Sequence, residues 1–196
     1  MPQDLSAVSW PVRTERLAFR PATVEDLRAV FEIRRQPEVS QWLPTLPTDR
    51  DAFVERLADP ERLAVTLALE LGGRLVGDLF LRIGDPWAQA EVAEQARGTM
   101  AEIGWVLSPD VAGRGLATEA AEALLRVSFE DLGLRRVKAL CFADNVASWR
   151  IMEKVGMRRE EYAVEESLHR SGRWLDGVSY AILAREWRAR RDLSAP

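Results

Sequence analysis

One cysteine, Cys141, and one histidine, His169, are all that 196 residues hold of either type. A lone cysteine excludes an intrachain disulfide, and so few soft ligands leave no basis for a zinc site. No stretch approaches the ~20 consecutive apolar residues of a membrane span. The opening Met-Pro-Gln-Asp lacks the basic-then-apolar pattern of a signal peptide, so a cytoplasmic protein is expected. A basic excess is also missing. The formal net charge of -4 argues against a general nucleic-acid binder and suits a cationic or amine-bearing substrate. No tract suggests a second domain, and a chain of this length with 47% hydrophobic residues fills one, so a single domain over 1–196 is expected.

What is present centres on Ser108-Pro-Asp-Val-Ala-Gly-Arg-Gly-Leu-Ala-Thr-Glu-Ala-Ala, ending at Ala121. Glu102-Ile-Gly-Trp-Val-Leu107 before it is an apolar run of strand length, closed by Pro109. Ala117, Ala120, Ala121, Leu124, Leu125 and Ser128 after it recur at helical spacing. The joint therefore reads as strand, glycine loop, helix. Gly113 and Gly115 let the loop turn through left-handed angles, and the first amides of the following helix lack intrahelical partners at the positive end of its dipole. Such a turn suits phosphate, although Gly-x-Gly can equally be a tight turn. Gly115-Leu116-Ala117 lacks the lysine and hydroxyl of a Walker loop. A Rossmann fingerprint wants Gly or Ala where Thr118 stands, and a parallel βαβ setting that the upstream sequence does not supply.

In chain order, Arg16 to Arg20 reads as a strand ending at Pro21. Thr23-Val-Glu-Asp26 starts a helix that Pro37 stops, and Thr48 to Asp51 starts another, so two helices are expected before the main sheet. Leu63 to Leu71 and Arg74 to Ile83 are strands joined by Gly72-Gly73, a two-residue hairpin signal. Gly84 to Met100 is a long connection with room for one helical turn. Arg135 to Phe142 reads as a strand parallel to the one at 102–107, joined to it by the helix. Asp144-Asn145 caps a helix over Val146 to Val155, closed by Gly156. Met157 to Leu168 and Trp174 to Leu183 form an antiparallel pair about a Ser171-Gly172 turn, and the basic tail from Arg185 is expected to fray. Cys141, within a strand, reads as a packed thiol; His169, near a hairpin tip, as exposed. The seven tryptophans are expected mostly in the core, with Trp42 and Trp87 on loops as candidates for acceptor contact. Gln41 to Pro47 is either a packed connector or a wall of an acceptor pocket.

This layout resembles the GNAT superfamily of acyl-CoA N-acyltransferases over roughly Arg13 to Trp187. Within it, the chain looks most like the branch of ribosomal-protein alanine and serine N-terminal acetyltransferases. The matching residues are Thr14-Glu-Arg-Leu17, Glu102 to Leu107, Gly115-Leu-Ala-Thr-Glu-Ala120 and Asn145-Val-Ala-Ser148. Ala112 departs from the Gln or Arg usual before the glycines, and Met157 stands for Phe after Gly156. The resemblance implies an α/β fold: a mixed, mostly antiparallel sheet, a central splayed parallel strand pair and flanking helices. It implies acetyl-CoA as co-substrate and a primary amine, on a small molecule or a protein N-terminus, as acceptor, and it allows a homodimer; with the composition above, no metal, nucleic acid or membrane is expected.

By the same resemblance Val106 and Leu107 hold pantetheine and polarise the thioester. The amides of Gly113, Arg114, Gly115, Leu116, Ala117 and Thr118 take the pyrophosphate, with Ala112 also at the cofactor, and the Arg114 side chain either adds charge to a phosphate or is an ordinary solvated loop arginine. Asn145 contacts pantetheine, and Ser148 contacts the leaving sulfur or protonates it. Both also suit a helix start as plain capping residues. Glu102 is the candidate base or an ordinary strand glutamate, with Glu70 and Asp78 as weaker substitutes. Many relatives carry a catalytic tyrosine where this chain has Met152, so the acid is Ser148, a water, or no dedicated group. A non-catalytic acyl-CoA-binding or interaction domain of the same fold is the alternative; an NAD-dependent oxidoreductase built on Gly113-x-Gly115 is a third reading.

Overall fold

Val12–Arg13 (β1) and Leu17–Pro21 (β2) pair antiparallel at the start of the computed structural model, which describes residues 5–194. The capping box at Thr23 forms as its spacing demands. Asp26 accepts from the Thr23 amide at 2.8 Å and from Arg20 Nη1 at 2.7 Å, and hydrogen bonding and charge from Arg20 hold the Asp26 carboxyl below its ordinary range. The helix Leu27–Arg34 (α1) then buries Leu27, Val30, Phe31 and Ile33.

Pro37 does not merely stop that helix. It opens a short one, Pro37–Ser40 (α2), because the first helical position needs no N–H donor. Asp49, one residue after the expected cap at Thr48, starts Arg50–Leu57 (α3) by accepting from the Ala52 amide at 2.7 Å. Pro60 opens another short helix, Pro60–Leu63 (α4), capped by Asp59. Leu63 is therefore helical, and the strand expected from it begins only at Thr66. Four helices, not two, precede the hairpin.

Thr66–Leu71 (β3) and Arg74–Gly84 (β4) form that hairpin with Leu71 opposite Arg74. Gly72 and Gly73 lie at φ 59° and 80°, the left-handed pair that a two-residue turn requires. Met100–Leu107 (β5), Leu116–Arg126 (α6), Arg136–Phe142 (β6), Val146–Lys154 (α7), Arg158–Leu168 (β7) and Trp174–Leu183 (β8) follow. The eight strands form one sheet in the order β1-β2-β3-β4-β5-β6-β8-β7. Its recorded ladders are antiparallel except β5–β6, where Met100, Ala101 and Glu102 run parallel opposite Arg136, Val137 and Lys138. This is the mixed α/β architecture with flanking helices expected from the sequence.

The chain divides into two compact units. One comprises residues up to Leu81 with Gly104–Ala123; a cluster of Leu27, Val30, Phe31, Phe53 and Leu57 packs α1 to α3, with the Phe31 and Phe53 rings 5.5 Å apart. The other comprises Arg82–Ile103 and residues from Leu124 onward. In it the connection after β4 holds a 3-10 turn and a single helical turn, Ala93–Ala96 (α5), and is pinned by the Gly98 amide donating to Asp85 at 2.7 Å.

The tail does not fray as expected. Ala184–Ser194 forms a helix, α8. Trp187 on it is 3% exposed, packs against Phe129 with tilted rings 5.9 Å apart and donates from Nε1 to Glu130 at 3.1 Å. Trp187, with the buried Ala184, docks a helix otherwise rich in arginine. The expectation that tryptophans are mostly core also fails. Trp187 alone is buried, Trp87 is 89% exposed and Trp174 57%, and Trp10, Trp42, Trp105 and Trp149 are half-buried.

Candidate active site

The glycine loop belongs to the first unit, and its strand is set by a close backbone approach. A side chain at Gly77 on β4 would overlap the carbonyl oxygen of Val106 and come within 3.1 Å of the Leu107 Cα. Position 77 must therefore stay without a Cβ for β5 to keep its course there. A trans peptide points its C=O and N–H in opposite directions, so the Val106 carbonyl turned onto Gly77 directs the Leu107 amide away from it. Ser108 then donates from its amide to the Val76 carbonyl at 2.8 Å, and Pro109–Val111 makes a 3-10 turn.

Gly113 and Gly115 sit at φ 73° and 76°, the left-handed region where only glycine is free of strain. Ala112, Gly113, Arg114 and Gly115 are exposed, Leu116 is buried at 1%, and Ala117 and Thr118 are half-buried. Two of the four exposed residues are glycines, with no side chain to cover the main chain, and α6 opens directly from the loop.

Beneath it lies a group of contacts that sequence reasoning did not anticipate. Glu119, in the first turn of α6, accepts from Thr14 Oγ1 at 2.5 Å, from the Arg16 amide at 2.9 Å and from Arg16 Nε at 2.7 Å, with Arg16 Nη2 at 2.6 Å. Arg16 Nη1 donates to the Arg114 carbonyl at 2.9 Å. Burial alone would push the Glu119 carboxyl up; hydrogen bonds from Thr14 and Arg16, with the Arg16 charge, outweigh it and hold the group below its ordinary value. Thr14, Arg16 and Glu119 all fell within motifs quoted for the resemblance, but nothing in their spacing says that they meet. The signal at Gly77 was legible: an isolated glycine inside a strand of Leu and Val marks a close backbone approach.

The substitute carboxylates in this unit are occupied. Asp78, 1% exposed, is gripped through both oxygens by Arg34 Nε, at 2.9 Å, and Nη2. The Asp78 charge holds the Arg34 guanidinium above its ordinary range against the opposing effect of burial. Glu70 pairs with Arg20 at 3.0 Å.

The second unit carries Glu102, Asn145 and Ser148. Glu102 lies opposite Lys138 on the parallel ladder, and its Oε2 is 3.2 Å from Lys138 Nζ and 3.0 Å from Arg82 Nη2. Asn145 caps α7, accepting from the Ser148 amide at 3.3 Å. Cys141 Sγ lies 4.0 Å from the Asn145 carbonyl. Burial pushes this thiol up to about 11, with a hydrogen bond to Ser148 pulling the other way, so it is a protonated, packed group at neutral pH. Met152 is 1% exposed and is part of the core. The chain's two tyrosines are engaged elsewhere: Tyr162 donates to Asp176 at 2.5 Å and Tyr180 to Glu153 at 3.0 Å. His169 is half-buried rather than exposed, its ring 5.5 Å from Phe142 and edge-on to it.

The site thus runs as a strand, a glycine loop, a helix and a strand parallel to the first. Residues 16–158 match the family model described as Acetyltransferase (GNAT) domain, and the chain belongs to that family. It is 33% identical over 183 residues to the putative ribosomal N-acetyltransferase YdaF of Bacillus subtilis, covering 88% of this chain and 94% of the relative. The structure of a GNAT-family acetyltransferase from Bacillus anthracis superposes with a TM-score of 0.74 at 31% identity, over 89% of this chain and 98% of that one. A ribosomal L7/L12 alpha-N-protein acetyltransferase solved in complex with coenzyme A shares the fold, with a TM-score of 0.74 at 17% identity over 87% and 95% of the two chains. Among the described residues no helix is long and apolar enough to cross a membrane, and no group of three or more His, Cys, Asp or Glu could hold a metal ion.

Proposed function

We propose that this chain is one acyltransferase domain that moves an acetyl group from acetyl-CoA to a primary amine by direct attack in a ternary complex, and that it works in the cytoplasm. The observation that carries the reading is the exposed loop Ala112 to Gly115, with both glycines left-handed and α6 opening from it. Its amides through Thr118 suit a pyrophosphate, which main-chain N–H groups at a helix N-terminus favour. The coenzyme A bound to the ribosomal-protein acetyltransferase of like fold supports the same donor here.

Transfer needs a neutral amine nitrogen to attack the thioester carbonyl, a donor for the tetrahedral oxyanion, and a proton for the departing thiolate. Backbone at Val106 and Leu107 takes the pantetheine arm, and the outward-turned Leu107 amide is the natural oxyanion donor. Glu102 removes the amine proton, directly or through water, after giving up part of its hold on Arg82 and Lys138. Asn145 holds the pantetheine amide, and Ser148 supplies the proton or hydrogen bond to sulfur. The acceptor is a protein N-terminus or a small-molecule amine. The engaged Glu102 and the buried Met152 favour a second reading, an acyl-CoA-binding domain without turnover.

Calorimetric titration with acetyl-CoA, with NAD as control, tests the donor. Micromolar binding is expected, lost in Gly115→Glu, whose bulk and charge at a left-handed position oppose a phosphate. Absence of acetyl-CoA binding would sink the transferase reading. Binding without turnover of any amine would select the second.

A further inference from the structure

We infer that Arg16, held by Glu119, is a positioning residue that fixes the orientation of the 114–115 peptide and so presents the Gly115 amide to the coenzyme pyrophosphate. The inference rests on the donor reading above but names a residue outside the loop that makes the loop work. The guanidinium has a fork of donors. Nε and Nη2 are taken by the Glu119 carboxylate at 2.7 and 2.6 Å, and Nη1 reaches the Arg114 carbonyl at 2.9 Å. Three further constraints make the fork rigid. Glu119 sits on α6, Thr14 Oγ1 and the Arg16 amide both donate to the same carboxylate, and Thr14 Oγ1 also accepts from the Leu17 amide at 3.0 Å.

With its carbonyl held on the Arg16 side, the 114–115 peptide must point the Gly115 N–H the opposite way. That restraint matters at this peptide because it joins Arg114 to a glycine at φ 76°, and a glycine's freedom lets a peptide rotate to present its carbonyl instead. A loop that offered oxygen there would repel phosphate. The Glu119 charge neutralises Arg16, so the clamp acts by orienting the amide rather than by adding attraction of its own.

The test separates orientation from stability. Arg16→Lys keeps a cation beside Glu119 but, as a point donor, cannot bridge the carboxylate and the Arg114 carbonyl together. Its thermal midpoint should stay near that of wild type, its Kd for acetyl-CoA should rise about tenfold or more, and the Gly115 amide resonance in glycine-labelled free protein should shift or broaden. Glu119→Gln, which keeps the side-chain shape while loosening the hold on Arg16, should lose affinity in the same direction and decides the matter if the lysine variant does not fold. Wild-type affinity in both variants, or an unchanged Gly115 resonance in a lysine variant that folds, overturns the clamp while leaving the transferase reading intact. Failure of the wild type itself to bind acetyl-CoA overturns both.

Discussion

At Glu119 a single carboxylate collects an amide, a hydroxyl and a guanidinium, and this makes its ionisation a stability term. Its carboxyl is depressed below the ordinary value of 4.5 in the folded chain. A depressed acid stabilises the fold above its unfolded pKa, and that contribution disappears as pH falls through the folded pKa. Glu119→Gln should therefore destabilise the chain by about 2 kcal/mol at pH 7, the scale of a few charge-assisted hydrogen bonds partly replaced by neutral ones. The deficit should shrink below pH 4.5 and vanish once the wild-type carboxyl is protonated. Urea midpoints of the two proteins between pH 3 and 7 measure it. A gap that does not narrow as the pH falls would mean that shape, not charge, holds the contact.

Elements bounded by backbone chemistry were legible in the sequence. The Gly72-Gly73 turn, the Thr23–Asp26 capping box, the Asn145 cap and the parallel partner of β5 all stand where turn residues and hydrophobic period put them. The one-turn helices α2 and α4 were not legible, because a four-residue helix has no period to show and its opening proline reads first as a stop. The helix α8 was hidden differently. Its arginines look solvated, yet Trp187 packs on Phe129, Arg191 pairs with Glu130, and Arg190 donates to the Val155 carbonyl at the end of α7. Gly156, at φ 85°, leaves room for that side chain, whose Cδ lies 2.6 Å and whose Nε and Nη1 lie 2.8 Å from where a Cβ would stand. In the candidate site the loop residues were readable because glycine announces itself, whereas Arg16, Thr14 and Glu119 meet across a hundred residues that no local pattern joins. If α8 is a structural element, Trp187→Ala should cost about 3–5 kcal/mol, the range for emptying a large buried aromatic, seen as an earlier midpoint in urea. A change within 0.5 kcal/mol would return the tail to the frayed state expected from its composition.

Over the whole chain 31 acidic residues face 27 basic ones, a balance that favours the approach of a protonated amine while the proposed chemistry consumes a neutral one. That conflict lets the pH dependence of kcat/KM identify the acceptor class. A protein α-amine titrates near 7.7–8.0 and an alkylamine near 10.4, so the rate for a peptide N-terminus should level off at about pH 8, while that for an alkylamine should still climb past pH 9. If Glu102 is the base, Glu102→Gln should lower kcat/KM by roughly 10²–10⁴, the usual worth of a positioned base, and leave the acceptor's own limb in place. Measuring both profiles on wild type and variant separates the two roles. A variant whose profile overlays that of wild type would leave Glu102 only its ion pairs with Arg82 and Lys138, and the amine would then reach the thioester already neutral, its proton lost to solvent.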